Sequence, residues 1–227
     1  MSITLNGSTY LTRSRGAASY PFTMFAWVKW AAADLNTQTA FGASTAASQN
    51  TLFSRKFNAK QLAAMGGPGG GASRSSTDDI VTTWQPVMIY FADASSRYIR
   101  YGSGAASSDG GFSVSTNPAT FDTSFVGALV NGGTVSEYMV GDIAEVTEWA
   151  GDRTGDWAAL AAGGLPETFG TPTFHNAFLN ATDLTGYTVA AGSVTTGATH
   201  PITRSATTAP NTTGPVSTRL IEGRLTS

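Results

Sequence analysis

Apolar and polar residues alternate with a period of two along most of this chain, the spacing of strands rather than helices. Ile3–Leu5 and Ser8–Arg13 read as two short strands around Asn6-Gly7, a dipeptide suited to a hairpin turn. Along Pro21-Phe22-Thr23-Met24-Phe25-Ala26-Trp27-Val28-Lys29-Trp30, large apolar groups occupy both parities, so this strand is expected at the centre of a sheet with both faces covered. Thr37–Ser44 is a weaker strand. Thr51–Phe57 and Gln61–Met65 form a pair across Asn58-Ala59-Lys60, and Trp84–Ala92 pairs with Arg97–Tyr101. Further strands are expected over Phe121–Leu129 and Ser136–Trp149, with Asn131-Gly132-Gly133 turning between them, and around Phe174–Leu179 and Tyr187–Val194. Gly66–Gly71 and Ser103–Gly111 read as loops.

The period changes once. Asp152–Ala162 predicts a short amphipathic helix with Trp157 and Leu160 on one seam, stopped by Gly163-Gly164. One surface helix late in a β-rich chain predicts an all-β fold: a two-sheet antiparallel jelly-roll sandwich with one short surface helix. Beyond Thr203, large apolar residues are scarce until Leu220-Ile221. The expected division is therefore a sandwich domain over 1–202 and an extended C-terminal arm over 203–227.

Composition narrows the function. The chain has 227 residues, 41% of them hydrophobic, enough for one sizeable core. Only 12% are charged and the net charge is −2, with 13 basic residues scattered, so no nucleic-acid partner is expected. The chain contains no cysteine, which removes disulfides and thiolate metal sites. No apolar run is long enough for a membrane helix, and Met1 leads straight into a strand pattern without a signal-peptide pattern. A hydroxyl-rich surface without an export signal fits a phage particle released by lysis, hence an expected location in the virion.

The order of these elements is similar to the concanavalin A-like, laminin G-like jelly-roll superfamily. Leu5–Leu11 resembles its first strand pair, Pro21–Lys29 its Pro-Phe-Thr…Trp-Val-Lys strand, and Trp84 with Val87–Phe91 its central tryptophan strand. Gly141–Trp149 resembles the penultimate strand, Asp152–Gly164 the surface helix, and Asp183-Leu184-Thr185-Gly186 the start of the closing strand. The likeness spans roughly residues 1 to 202 and implies fold rather than function. Domains of this kind also occur in structural proteins of tailed phages.

Candidate chemistry is sparse. Glycosidases on this fold need paired carboxylates, and Asp142, Glu145 and Glu148 are the candidates. Residues three apart on a strand face opposite ways, and six residues span ~20 Å, whereas hydrolysis needs roughly 5–9.5 Å. Only a β-bulge would change that spacing. Glu145 is expected to pair with a base such as Arg55, and Asp142 and Glu148 to sit near loops. His175 and His200 read as surface or strand-end histidines. The loop aspartates Asp78, Asp79, Asp93 and Asp109 read as turn formers, with calcium as the alternative. Of the five tryptophans, Trp30 is the candidate glycan contact and the others read as core. The expected function is a non-catalytic structural protein of a bacteriophage virion, a head-decoration or other surface protein. Its partners would be other virion proteins and copies of itself, with Arg219, Leu220, Ile221 and Arg224 of the arm in contact. The alternatives are a carbohydrate-binding module on a phage fibre and, third, a glycosidase. No catalytic, cofactor-binding or metal residue is assigned.

Overall fold

A computed structural model describes residues 2–33, 36–45, 51–58, 61–66, 79–94, 96–103, 107–110, 118–178, 182, 184, 186–202 and 211–213, the last stretch and 107–110 by backbone alone. The first half holds β1 (Ile3–Asn6), β2 (Tyr10–Ser14), β3 (Phe22–Trp30), β4 (Gln38–Ser44), β5 (Thr51–Asn58), β6 (Gln61–Gly66), β7 (Gln85–Phe91), β8 (Ser96–Tyr101) and β9 (Ser107–Gly110). The second holds β10 (Thr123–Val126), β11 (Leu129–Asn131), β12 (Thr134–Ser136), β13 (Val140–Ala150), α1 (Trp157–Ala161), β14 (Phe174–Asn176), β15 (Thr188–Ala191), β16 (Thr195–Thr196) and β17 (Asn211–Thr213).

These strands form the expected antiparallel jelly-roll sandwich. One sheet runs β16-β1-β13-β3-β7-β8-β9, with β14 on β13 and β17 on β14; the other runs β15-β2-β10-β4-β5-β6. A small β11–β12 hairpin turns at Gly132-Gly133. β3 is central and covered on both sides. Its Phe22, Met24, Val28 and Trp30 pack between the sheets with Phe41, Val126 and Ile143. Phe25 and Trp27 face outward, under α1, with Met88, Trp149, Trp157, Leu160 and Ile202. Trp157 and Leu160 each contribute about 1.5–3 kcal/mol by this burial. The helix proper is shorter than the sequence pattern, because Thr154–Asp156 forms a 3-10 turn ahead of it.

Three expectations are corrected. Asn6-Gly7 does not close a hairpin: β1 pairs with β13 and β16, while β2 pairs with β10 and β15, so the turn carries the chain from one sheet to the other. Gly7 takes a φ of 84°, and the Asn6 side-chain oxygen accepts from the Ser8 amide, the Ser8 hydroxyl and the Thr9 hydroxyl. Within Ser103–Gly111, Ser107–Gly110 is not loop but a strand pairing with β8, because small residues do not prevent an edge strand when its neighbour supplies the ladder. Finally, β17 joins the sheet through β14, so three residues of the stretch read as an arm belong to the sandwich.

Candidate functional site

β13 carries three carboxylates, and a bulge decides where each one points. Ala144 pairs with Trp27 and Thr147 with Phe25, so Glu145 and Val146 together oppose the single residue Ala26. Glu145 takes a φ of 57° to accommodate the extra residue. Val146 stays in the inner core, and every later position shifts parity by one. Glu148 therefore pairs with Met24 and enters the space between the sheets, whereas Asp142 pairs with Lys29 on the other face. The expectation that Asp142 and Glu148 share a face is corrected by this one inserted residue. Glu148 lies beside the loop Arg15–Ser19, near loops as expected, and the shifted parity buries it there at 2% exposure.

Glu148 is held by two arginines, Arg13 on β2 of the opposite sheet and Arg15 just past the end of that strand. Its Oε1 accepts from Arg13 Nη2 at 2.9 Å and from the Ser124 hydroxyl at 2.7 Å; its Oε2 meets Arg15 Nη2 at 3.0 Å. Burial disfavours the Glu148 charge, but Arg15 and Arg13, with the Ser124 hydrogen bond, outweigh it and hold the carboxyl below its ordinary range. Burial likewise opposes the Arg13 charge, and Glu148 and Tyr187 reverse that, so its pKa is raised. The Arg13 guanidinium also lies 3.6 Å from the centre of the Phe174 ring. This buried cluster comprises two positive groups and one negative.

A cavity of about 260 Å³ opens on this cluster, lined by Arg13, Arg15, Phe22, Glu148 and Trp149, with Gly16–Ser19 and Thr173 among its other lining residues. The Arg15 side chain is only 7% exposed. Its Nε and Nη1 have no hydrogen-bond partner among the described residues, and neither has Arg13 Nε. Buried donors of this kind are costly unless something accepts from them. Sequence reasoning missed this site. Its signal was the parity of β2, in which Arg13 follows Leu11 on the inward-pointing side.

On the outer face, Glu145 lies with both histidines. His175 Nε2 is 3.3 Å from Glu145 Oε2 and 3.6 Å from Glu167 Oε2, and His200 Nε2 is 3.6 Å from Glu145 Oε1. Of the surface and strand-end readings, the surface one is corrected for both histidines, which are buried, whereas His175 does lie on a short strand: β14 lays His175 beside Thr147, and the segment after β16 carries His200 against Trp84. The Arg55 side chain expected to pair with Glu145 lies outside the described residues, and these imidazoles are the described side chains near the Glu145 carboxylate. Among the described residues, Glu145, Glu167 and His175 form a group that could hold a metal ion, each offering one donor atom.

Trp30 is corrected as a glycan contact. It is fully buried between the sheets, with the Lys56 ammonium 5.8 Å from its ring centre, because β3 is covered on both faces. Asp142 accepts from the Thr4 hydroxyl and pairs with Lys29 at 3.4 Å. Asp93 accepts from the Ser96 amide at 2.7 Å in a turn, and Asp79 is exposed. Asp78, the side chain of Asp109, and Arg219, Leu220, Ile221 and Arg224 lie outside the described residues.

No protein-family model matches the chain, and no curated protein matches it. Solved structures do match. A heptameric pentraxin, like serum amyloid P, from Limulus polyphemus superposes with a TM-score of 0.64 at 14% identity, covering 89% of this chain and 97% of that one. A carbohydrate-binding module of a Ruminococcus gnavus sialidase, solved with α2,3-sialyllactose, gives 0.53 at 11%, covering 70% and 95%. Tailspike protein 2 of the Escherichia coli O157:H7 bacteriophage CAB120 gives 0.54 at 14%, covering 74% of this chain but 25% of the tailspike. At such identities the likeness concerns the fold, which is the concanavalin A-like, laminin G-like jelly roll.

Proposed function

We propose that this chain is a non-catalytic binding domain that seats the carboxylate of an acidic sugar over Arg15. The observation that carries this reading is the Arg15 guanidinium: buried, lining a cavity, with two N–H-bearing nitrogens lacking an acceptor among the described residues. A guanidinium edge matches a carboxylate in shape and charge. The cavity lies below the roughly 300–1,000 Å³ of drug-sized ligand sites, a scale that fits one sugar unit rather than a chain. The likeness to a sialyllactose-bound module supports the ligand class. Against hydrolysis, Glu145 and Glu148 lie on opposite faces of the sheet, and Glu148 is committed to two arginines. Calorimetric titration with sialyllactose and with lactose tests the reading. Saturable binding of the acidic sugar, weakened at least tenfold in Arg15→Ala, is expected; equal binding of lactose, or no effect of the substitution, overturns it.

A second reading is a structural protein on the surface of a phage virion, a head-decoration protein included, partnered by other virion proteins and by copies of itself. The tailspike likeness favours it. Deleting 214–227, which spares β17, would then abolish incorporation into particles, scored by mass spectrometry of purified virions. Unchanged incorporation counts against a docking role for Arg219, Leu220, Ile221 and Arg224.

A further inference from the structure

The outer cluster around Glu145 has spacings that ion pairing alone does not explain. Charge-assisted N–H···O contacts settle at about 2.7–2.9 Å. His175 Nε2 instead stands 3.3 and 3.6 Å from two carboxylate oxygens. Donor atoms bonded to one ion at roughly 2.0–2.2 Å, at the corners of a tetrahedron, stand roughly 3.3–3.6 Å apart. The two imidazole–carboxylate separations are those of tetrahedral edges. All three donor atoms lie within 4.8 Å of one another, and Glu167, at 22% side-chain exposure, is the member with room to adjust.

The hydrogen bonds fix which imidazole nitrogen faces the carboxylates. The Thr147 hydroxyl donates to the backbone carbonyl of Glu145 at 3.0 Å, which uses its only proton. Its oxygen, 2.8 Å from His175 Nδ1, must therefore accept, so Nδ1 carries the hydrogen. In the neutral ring, Nε2 then presents a lone pair toward two anionic oxygens, an arrangement that calls for a cation between them. An outer hydroxyl that fixes the tautomer of a ligating histidine is a recurrent support of metal sites. His200 has the opposite tautomer: its Nδ1 accepts from the Ile202 amide at 3.2 Å, leaving the proton on Nε2, which stands 3.6 Å from Glu145 Oε1, beyond hydrogen-bond length. Glu145 Oε2, the oxygen nearer His175, faces the ion.

We infer that Glu145, Glu167 and His175 bind one divalent transition-metal ion, with zinc the best match to a nitrogen and two oxygens at these spacings. A water molecule from the partly exposed Glu167 side completes the coordination. The bulge is what makes the site, because it turns Glu145 toward β14. The site lies on the opposite face of the sheet from the Arg15 cavity, and its occupation is independent of the sugar reading.

The full chain, stripped with a chelator and dialysed, is titrated with zinc chloride by calorimetry, and its cobalt form is read by visible absorption. One zinc per chain, a higher melting temperature with saturating zinc and an intense tetrahedral cobalt band are expected. The two histidines both lie in this cluster and the chain has no cysteine, so competing soft sites are few. Glu167→Gln, at the solvent side, should weaken zinc at least tenfold while the apo protein keeps its melting temperature. His175→Gln should abolish the cobalt band. Absence of saturable binding by the wild-type chain, or equal affinity in Glu167→Gln, overturns the site and leaves an imidazolium between two carboxylates as the account of the cluster.

Discussion

Glu145 and Glu148 are three residues apart on one strand and equally withdrawn from water, yet the two sides of the sheet give them different surroundings. Glu148 is met by two guanidinium groups and a hydroxyl at 2.7–3.0 Å. Glu145 is met by two imidazoles at 3.3–3.6 Å. The inner carboxylate is closed: its charge is matched from β2 of the opposite sheet and from just past the end of that strand, and it ties the two layers together at one end of the core. The outer carboxylate is spaced for a guest. Burial alone thus says little about what a charged side chain does; the distances and donors around it decide.

Removing the inner charge should produce the largest effect. Glu148→Gln leaves Arg13 and Arg15 buried beside a neutral amide, which should cost about 3–5 kcal/mol of stability by urea denaturation. A loss below roughly 1 kcal/mol would mean that the arginines do not depend on Glu148, and the contrast between the two faces would fail.

Acid should act through the same residue. The folded-state pKa of Glu148 is lowered from its ordinary value of 4.5, so its stabilisation is fully present above that value and is lost as pH falls through the folded pKa. Below pH 4.5, the wild-type chain should therefore lose stability more steeply than Glu148→Gln, measured as denaturation midpoint against pH. Parallel curves would assign the acid response to other groups.

The smallest effect concerns the bulge. Glu145 pays a left-handed backbone conformation at φ 57°, which costs an L-residue roughly 1–2 kcal/mol relative to glycine. Glu145→Ala and Glu145→Gly both delete the carboxylate, but only glycine relieves the backbone. Glycine should be the more stable of the two by about 1 kcal/mol, the reverse of the ordinary order inside a strand. If alanine is the more stable, the bulge is not held as described.

The alternating pattern was enough to place β3 under cover on both sides and to seat Trp157 and Leu160 against the sheet, because side-chain parity and helical spacing are local properties of the backbone. The same logic misplaced Trp30 as a surface residue and treated Asp142 and Glu148 as companions. In a strand buried on both faces, neither parity reaches solvent, and a single extra residue at Glu145–Val146 reverses every facing beyond it. The irregular run Ile143-Ala144-Glu145-Val146-Thr147 hints at a bulge, but the neighbour β3 has to fix where it falls.

Chain chemistry alone therefore determined a cysteine-free, sparsely charged stack of strands with one covering helix, since hydrophobic burial acts on each segment's own pattern. Tertiary structure decided which distant groups meet. Arg13 and Arg15 reach Glu148 only because β2 lies in the sheet facing β13, and His175 and His200 reach Glu145 only because β14 and the segment after β16 return to the outer face. Those encounters span up to 135 residues of sequence. They are set by strand order and register, which no local periodicity encodes.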